Sequence, residues 1–254
     1  MNLLVLDIGN SHVKLCSGRM DQPFPVNACE SVPVAQCKAR ITALDSVDSC
    51  VISSVNPALL TEIHNLLENR LTSGTPYRLD AAGSPLQLLV KSPETLGSDR
   101  IAAAYAAHCR SNQGAIVVDA GTAVTIDRVN RHAQFEGGVI FPGIEMNLKA
   151  LHNQTGQLPL VKWDRRLNRT YGDDTQSAIL AGVYWSQIGG VERVINNYLA
   201  GMGNAPILVT GGNGRMIIEH LPENAEFVPE LVCEGLWNMG RDRSDSSGKT
   251  PCSD

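Results

Sequence analysis

No apolar run in this 254-residue chain approaches the length of a membrane span, which excludes a helical integral membrane protein. Basic residues are not in surplus either. Lys and Arg number 21 against 26 Asp and Glu, giving a formal net charge of −5 and a pI near 5.7. A broad nucleic-acid surface is therefore not expected, because phosphate-backbone affinity depends on clustered Lys and Arg. The opening MNLLVLDIG lacks the basic leader of a secretion signal, and Asp7 interrupts its apolar run, so it reads as a buried strand. The expected location is cytoplasmic. The seven cysteines (Cys16, Cys29, Cys37, Cys50, Cys109, Cys233 and Cys252) are odd in number and scattered without a C-x-x-C pair. That pattern predicts reduced thiols and no zinc site or disulfide framework. His64, His108, His132, His152 and His220 show no ligand spacing. No nucleophile elbow, Walker loop or dinucleotide fingerprint is present. What remains is an ordinary globular composition, 43% hydrophobic and 19% charged, with enough residues for one large domain or two small ones.

Against these absences one pattern occurs twice. LLVLDIGNSHVK (Leu3 to Lys14) and AIVVDAGTAVTID (Ala115 to Asp127) are each an apolar run ending in Asp-x-Gly, then a small polar residue and a second apolar run. Each predicts two strands joined by a tight turn with a carboxylate at the strand end. The glycine lets backbone N–H groups approach a ligand, and the Asp stands where a metal-bound phosphate is held. In the first copy Asp7 suits magnesium or its waters, Gly9, Asn10 and Ser11 offer donors for phosphate, and Lys14 supplies a cation. Either copy alone also reads as a plain hairpin. Two copies about half a chain apart suggest two similar domains closing on a nucleotide.

The intervening chain predicts a strand over 50–55 and a helix from Pro57 to Arg70, with Leu59, Leu60, Ile63, Leu66 and Leu67 at helical spacing. Residues 19–49 read as irregular, and Leu71 to Ser92 as loop with a short strand. An alanine-rich helix begins near Ser98. A domain boundary falls at Gln113–Gly114, giving domains over 1–113 and 114–239. In the second, the hairpin is followed by a strand near 134–140, a helix near 143–152, and a long helix capped by Asp174 or Thr175. Its Gly189-Gly190 pair predicts a kink. A strand at 206–210, a short helix and an apolar helix near 230–238 follow, and the polar tail over 240–254 is expected to be disordered. Hairpins followed by helices in both halves imply an α/β fold with mixed sheets.

Two further motifs bear on chemistry. GSDR, Gly97 to Arg100, stands at a helix start, where the helix dipole favours an ionised Asp99 able to accept a proton from an attacking hydroxyl. Arg100 offers a planar fork for an anionic substrate. An ordinary acidic first turn with a surface Arg fits the same residues. FEGGVIFPGI, with Gly137, Gly138, Pro142 and Gly143, permits close backbone approach to a ligand and equally describes a tight strand-to-helix turn.

The ordered set DIGNSHVK, GSDR, DAGTAVTID, GGVIFPG, TQSAILAG (Thr175 to Gly182) and VTGG (Val209 to Gly212) closely resembles type III pantothenate kinase, a family of the actin-like and sugar-kinase ATPase superfamily. The resemblance spans nearly the whole chain. It implies two ribonuclease-H-like domains with mixed β-sheets flanked by helices, a nucleotide cleft between them, and transfer of the ATP γ-phosphate to the 4′-hydroxyl of pantothenate in coenzyme A synthesis. It assigns Asp7, Ile8, Gly9, Asn10, Ser11, His12, Val13 and Lys14 to ATP phosphates and magnesium, and Thr122 to ATP. Gly97, Ser98, Asp99 and Arg100 would hold pantothenate, with Arg100 on its carboxylate, Asp99 as proton acceptor, and Thr175 contributing from the long helix. Asp119 would bind a monovalent cation, potassium or ammonium. Family members are homodimers with the substrate pocket at the subunit interface. Many carry an aromatic residue several positions before GxDR, and LVKSPETLGSDR has none, so that pocket wall must be built differently. A regulatory reading, a catalytically weak member acting as a transcription accessory protein, stands as the alternative, with another small-molecule kinase of the superfamily as a third.

Overall fold

A computed structural model describes residues 1–45, 47–72, 74–111, 113–164 and 170–244. The chain opens with the expected hairpin, β1 (Asn2–Ile8) and β2 (His12–Arg19), followed by β3 (Cys29–Pro33) and α1 (Val34–Thr42). Next come β4 (Ser49–Ser54), α2 (Pro57–Glu68) and two short strands, β5 (Tyr77–Arg78) and β6 (Gln87–Leu88). The Asn56 side chain caps α2 by accepting from the Leu59 N–H, and Pro57 occupies the first turn. Then follow α3 (Ser98–Arg110), β7 (Gly114–Ala120), β8 (Ala123–Asn130), β9 (Gln134–Pro142), α4 (Ile144–Gln154) and α5 (Thr175–Met202). The chain continues through β10 (Ile207–Thr210), α6 (Gly214–Ile218), β11 (Ala225–Phe227) and α7 (Leu231–Ser244).

Five strands form a sheet in the order β3-β2-β1-β4-β5. β1, β2 and β3 are antiparallel neighbours, while β4 and β5 run parallel to β1. A parallel neighbour requires a crossover, and α1 and α2 supply it. A six-stranded sheet runs β11-β10-β7-β8-β9-β6, with β10 and β11 parallel to β7. Counted from β7, its first five strands repeat the order of the other sheet, which is the ribonuclease-H-like arrangement.

The chain divides into two compact units: Met1–Gln113 with Val129–Gly137 and the chain from Glu230 onward, and Gly114–Arg128 with Gly138–Pro229. Two segments expected in the second domain, 129–137 and 230–239, thus lie in the first unit. In the first unit, Leu4, Leu6 and Ile8 of β1 pack with Ile52, Ile41 and the apolar stripe of α2 (Leu59, Leu60, Ile63, Leu67). In the second, Ile116 and Val118 of β7 pack with Ile188, Val191 and Ile195 of α5 and with Val209 of β10.

Several expectations need correction. Residues 19–49 are not irregular, since β3 and α1 lie there. Because β3 pairs directly with β2, Cys16 stands opposite Cys29 in the ladder, with Cα atoms 4.2 Å apart, and the two form a disulfide. The expectation of reduced thiols fails at that pair and at Cys109, which is also disulfide-bonded, and holds for Cys37, Cys50 and Cys233. α5 runs as one helix through Gly189-Gly190. Asp174, not Thr175, caps it, in a capping box with Ser177. The start of the supposed tail, residues 240–244, is helical: α7 continues to Ser244, and Gly240 packs against Leu3. The remainder of that tail, 245–254, lies outside the described residues.

Candidate active site

In the first unit the phosphate-type hairpin places Asp7 at the carboxyl end of β1, directly opposite Lys14 on β2. The Gly9 N–H donates to the His12 carbonyl at 3.0 Å and closes the turn. Asn10, Ser11 and His12 are exposed at its tip, whereas the side chains of Ile8 and Val13 are buried in the core. These last two can therefore meet a ligand only through backbone atoms. The Ser11 carbonyl accepts from the Val34 N–H at 3.1 Å, tying the tip to the start of α1.

Lys14 is half-buried. Its ammonium lies 3.1 Å from the Glu230 carboxylate, on the residue that leads into α7. Burial pulls the Lys14 pKa down, but Glu230, the Cys233 thiol and Asp7 outweigh it and leave the pKa above its usual value. Lys14 is therefore a firmly charged group flanked by two carboxylates. Cys233 is fully buried, and burial first, with Asp7 and Glu230 adding, pushes its thiol well above the usual range against the opposing charge of Lys14. Nothing in the local sequence of either residue points to this contact, which only the return of α7 creates.

The GSDR motif is brought beside the hairpin. Asp7 pairs in register with Ser53 of β4. The buried Ser98 hydroxyl lies 3.0 Å from the Ser53 hydroxyl and accepts from the Ser54 N–H at 3.0 Å. Ser98 thus anchors the start of α3 on the strand next to Asp7. The Asp99 carboxylate folds back over the helix start and accepts the Arg100 N–H at 2.8 Å. A Cβ at residue 97 would lie 2.4 Å from Asp99 Oδ1, so this side-chain conformation requires Gly97. Burial raises the Asp99 pKa, and the Arg100 N–H and guanidinium charge only partly oppose it. Burial thus works against the helix dipole at this carboxylate. The outcome is a more basic carboxylate, better suited to accept a proton.

In the second unit Asp119 ends β7, beside Thr210 of β10. Gly211 has φ of +87°, and a Cβ there would stand 2.5 Å from Asp119 Oδ1. The first glycine of VTGG is thus fixed by its close approach to this carboxylate. The Asn213 N–H donates to the Ala120 carbonyl and the Gly143 N–H to the Thr122 carbonyl, both at 3.0 Å. Gly143 accordingly serves backbone packing against the turn. The Thr122 side chain is exposed. Asn213 also lines a cavity of about 540 Å3 with Glu145, Lys149, Lys162 and Trp163. Thr175, exposed on the first turn of α5, edges a groove of about 610 Å3 with Asn147, Leu151 and Ile179. Among the described residues no cluster of three or more metal-ligating His, Cys, Asp or Glu side chains occurs.

Two repeated sheets with an Asp-x-Gly hairpin at the head of each define the fold class of actin-like ATPases and sugar kinases. Solved structures agree. A conserved Campylobacter jejuni protein assigned to the Baf family of transcriptional activators superposes with a TM-score of 0.62 at 21% identity, covering 95% of this chain and 99% of its own. A Listeria monocytogenes protein assigned as an N-acetylmannosamine kinase gives 0.50 at 12% identity, covering 96% and 100%. At those identities the likeness concerns the fold. The family model for type III pantothenate kinase matches residues 3–197. A type III pantothenate kinase of Persephonella marina is 30% identical over 250 residues, covering 93% of this chain and 97% of its own. The chain belongs to the type III pantothenate kinase family.

Proposed function

We propose that this protein transfers the γ-phosphoryl group of ATP to the 4′-hydroxyl of pantothenate, giving 4′-phosphopantothenate for coenzyme A synthesis. Family membership supports the reaction, and one structural observation supports the residue roles. The Ser98 anchor holds the helix start that carries the basic carboxylate of Asp99 and the guanidinium of Arg100 on the strand next to Asp7, whose other neighbour carries Lys14. Phosphoryl transfer needs positioning and charge stabilisation, and this cluster offers both. Asp99 accepts the proton of the attacking hydroxyl, and Arg100 takes the pantothenate carboxylate through its planar fork. Lys14 holds the ATP phosphates.

Magnesium is reluctant to lose its waters and takes only one or two carboxylates together with phosphate oxygens. A single half-buried Asp7 fits such an ion, which would neutralise charge on the phosphates. Asp119 offers a carboxylate oxygen donor suited to a monovalent cation, potassium or ammonium. Thr122 and the Asn213 cavity, with its lysines and Trp163, are suited to the nucleotide. The groove beside Thr175, whose lining residues Asn147 and Ser186 directly follow the exposed apolar Met146 and Trp185 in sequence, fits a second copy of the chain in a homodimer. A cytoplasmic enzyme follows from the substrates, and among the described residues no helix is long and apolar enough to cross a membrane. The regulatory alternative gains nothing from the site, because Asp7, Lys14, Asp99, Arg100 and Asp119 are all retained.

The test is direct. Purified protein with magnesium, potassium, ATP and pantothenate should yield phosphopantothenate by mass spectrometry, and much less when sodium replaces potassium. No product with potassium present would refute the reading.

A further inference from the structure

The stretch LVKSPETLGSDR offers Arg100 no aromatic neighbour in sequence. The structure supplies one from elsewhere: the Arg100 guanidinium carbon lies 5.6 Å from the centroid of the Phe135 ring. We infer that Phe135 is a positioning residue for Arg100, holding the guanidinium plane oriented for the carboxylate of pantothenate. The inference rests on the proposed role of Arg100.

The backbone is arranged to fix that ring. Phe135 is fully buried at the start of β9, opposite Leu88 of β6. Its carbonyl accepts the Leu89 N–H at 2.9 Å, and the Gln87 N–H donates to the Ala133 carbonyl at 2.9 Å. The adjoining side chains are tied as well, with Gln134 Nε2 donating to Gln87 Oε1 at 2.7 Å. Residues 129–137 leave the second unit to join the first, and the chemistry-bearing consequence of that excursion is the ring beneath Arg100. A weakly hydrated, planar guanidinium gains both attraction and orientation on an aromatic face. Orientation matters here because bidentate carboxylate binding depends on the direction of the fork. An aliphatic side chain of similar bulk would fill the same space and lose that effect.

The experiment compares Phe135→Met, Phe135→Leu, Phe135→Tyr and Arg100→Lys with the unmodified full chain, measuring kcat and KM for each substrate. Phe135→Met and Phe135→Leu should raise KM for pantothenate roughly five- to thirtyfold, the span of a partly desolvated cation–π contact. KM for ATP and kcat should stay within about twofold, since an interaction common to ground and transition state is what is lost. Phe135→Tyr, which keeps the ring, should match the unmodified protein. An unchanged KM for pantothenate overturns the inference, as does a joint shift of kcat and both KM values. If Met and Leu both fail to fold while Tyr is normal, Phe135 is core support only and the inference also falls. Arg100→Lys separates the two levels. If it leaves KM for pantothenate unchanged, the assignment of Arg100 fails. If it raises that KM while Phe135→Met does not, only the inference fails.

Discussion

Asp99→Asn tests the proton-acceptor assignment, and the structure gives both halves of the expected result. The substitution conserves volume, and the amide oxygen can still accept the Arg100 N–H that the carboxylate now accepts at 2.8 Å. Burial disfavours the charged form of Asp99, so replacing it with a neutral amide relieves a desolvation cost. Folding stability should therefore be unchanged or slightly higher. Turnover should fall, because an amide cannot take the proton. Loss of a general base costs roughly a hundred- to ten-thousandfold, about 3 to 5 kcal/mol in the barrier. KM for pantothenate should hardly change while Arg100 remains. The unmodified enzyme should also lose kcat as pH falls through the Asp99 pKa. Because burial raises that pKa, the acid limb should lie above the ordinary carboxylate range. The same direction has a linkage consequence: the neutral form is favoured on folding, so ionising Asp99 subtracts stability as pH rises above its unfolded pKa. Phosphopantothenate formation across pH, with thermal melting in parallel, measures all of this. A decrease in kcat of less than about tenfold with an intact fold would refute the assignment.

Three other outcomes follow from particular contacts. Lys14→Met should raise KM for ATP at least about tenfold, the loss of a charge-assisted hydrogen bond, and should leave Glu230 without the 3.1 Å partner it now has. Gly235→Ala should destabilise the protein by about 1 to 3 kcal/mol or more, because the added Cβ would lie 1.9 Å from the Ala102 carbonyl where α7 crosses α3. Melting should drop by about 2 to 4 °C per kcal/mol. Cys16→Ser should lower stability by about 3 kcal/mol, the scale for a loop of this size, given the 13-residue separation of Cys16 and Cys29. Reductant should shift the unmodified protein in the same direction, and by more than it shifts the variant, because Cys109 is also disulfide-bonded.

Local chemistry made much of this legible in the sequence. Both hairpins, α2 and α3 could be read because a turn glycine, a first-turn proline or an apolar stripe announces each within a few residues. β3 and α1 could not. β3 holds polar residues between Cys29 and Pro33, and α1 has a proline as its N-cap; neither carries a strong period. Missing β3 also concealed the Cys16–Cys29 pairing, since only adjacent strands bring residues so far apart in sequence face to face. The motif residues at the head of each hairpin were visible, but their partners were not. Glu230 and Phe135 approach Lys14 and Arg100 across long stretches of chain, and Glu230 lies outside residues 3–197, which the family model matches. Gly211 is the intermediate case: its motif stood out in the sequence, while its reason, a carboxylate pressed against its backbone, is purely spatial.

The two Asp-x-Gly turns look alike in sequence and head sheets of the same strand order, yet they are not equivalent. In the first, Gly9 bonds to His12; in the second, Gly121 bonds to Ala123, so the turn is one residue shorter. Along the first hairpin, Lys14 stands opposite Asp7. The ammonium opposite Asp7 supports the proposal that the first turn handles phosphates with a resident lysine. The difference in turn length supports giving the second turn a separate role.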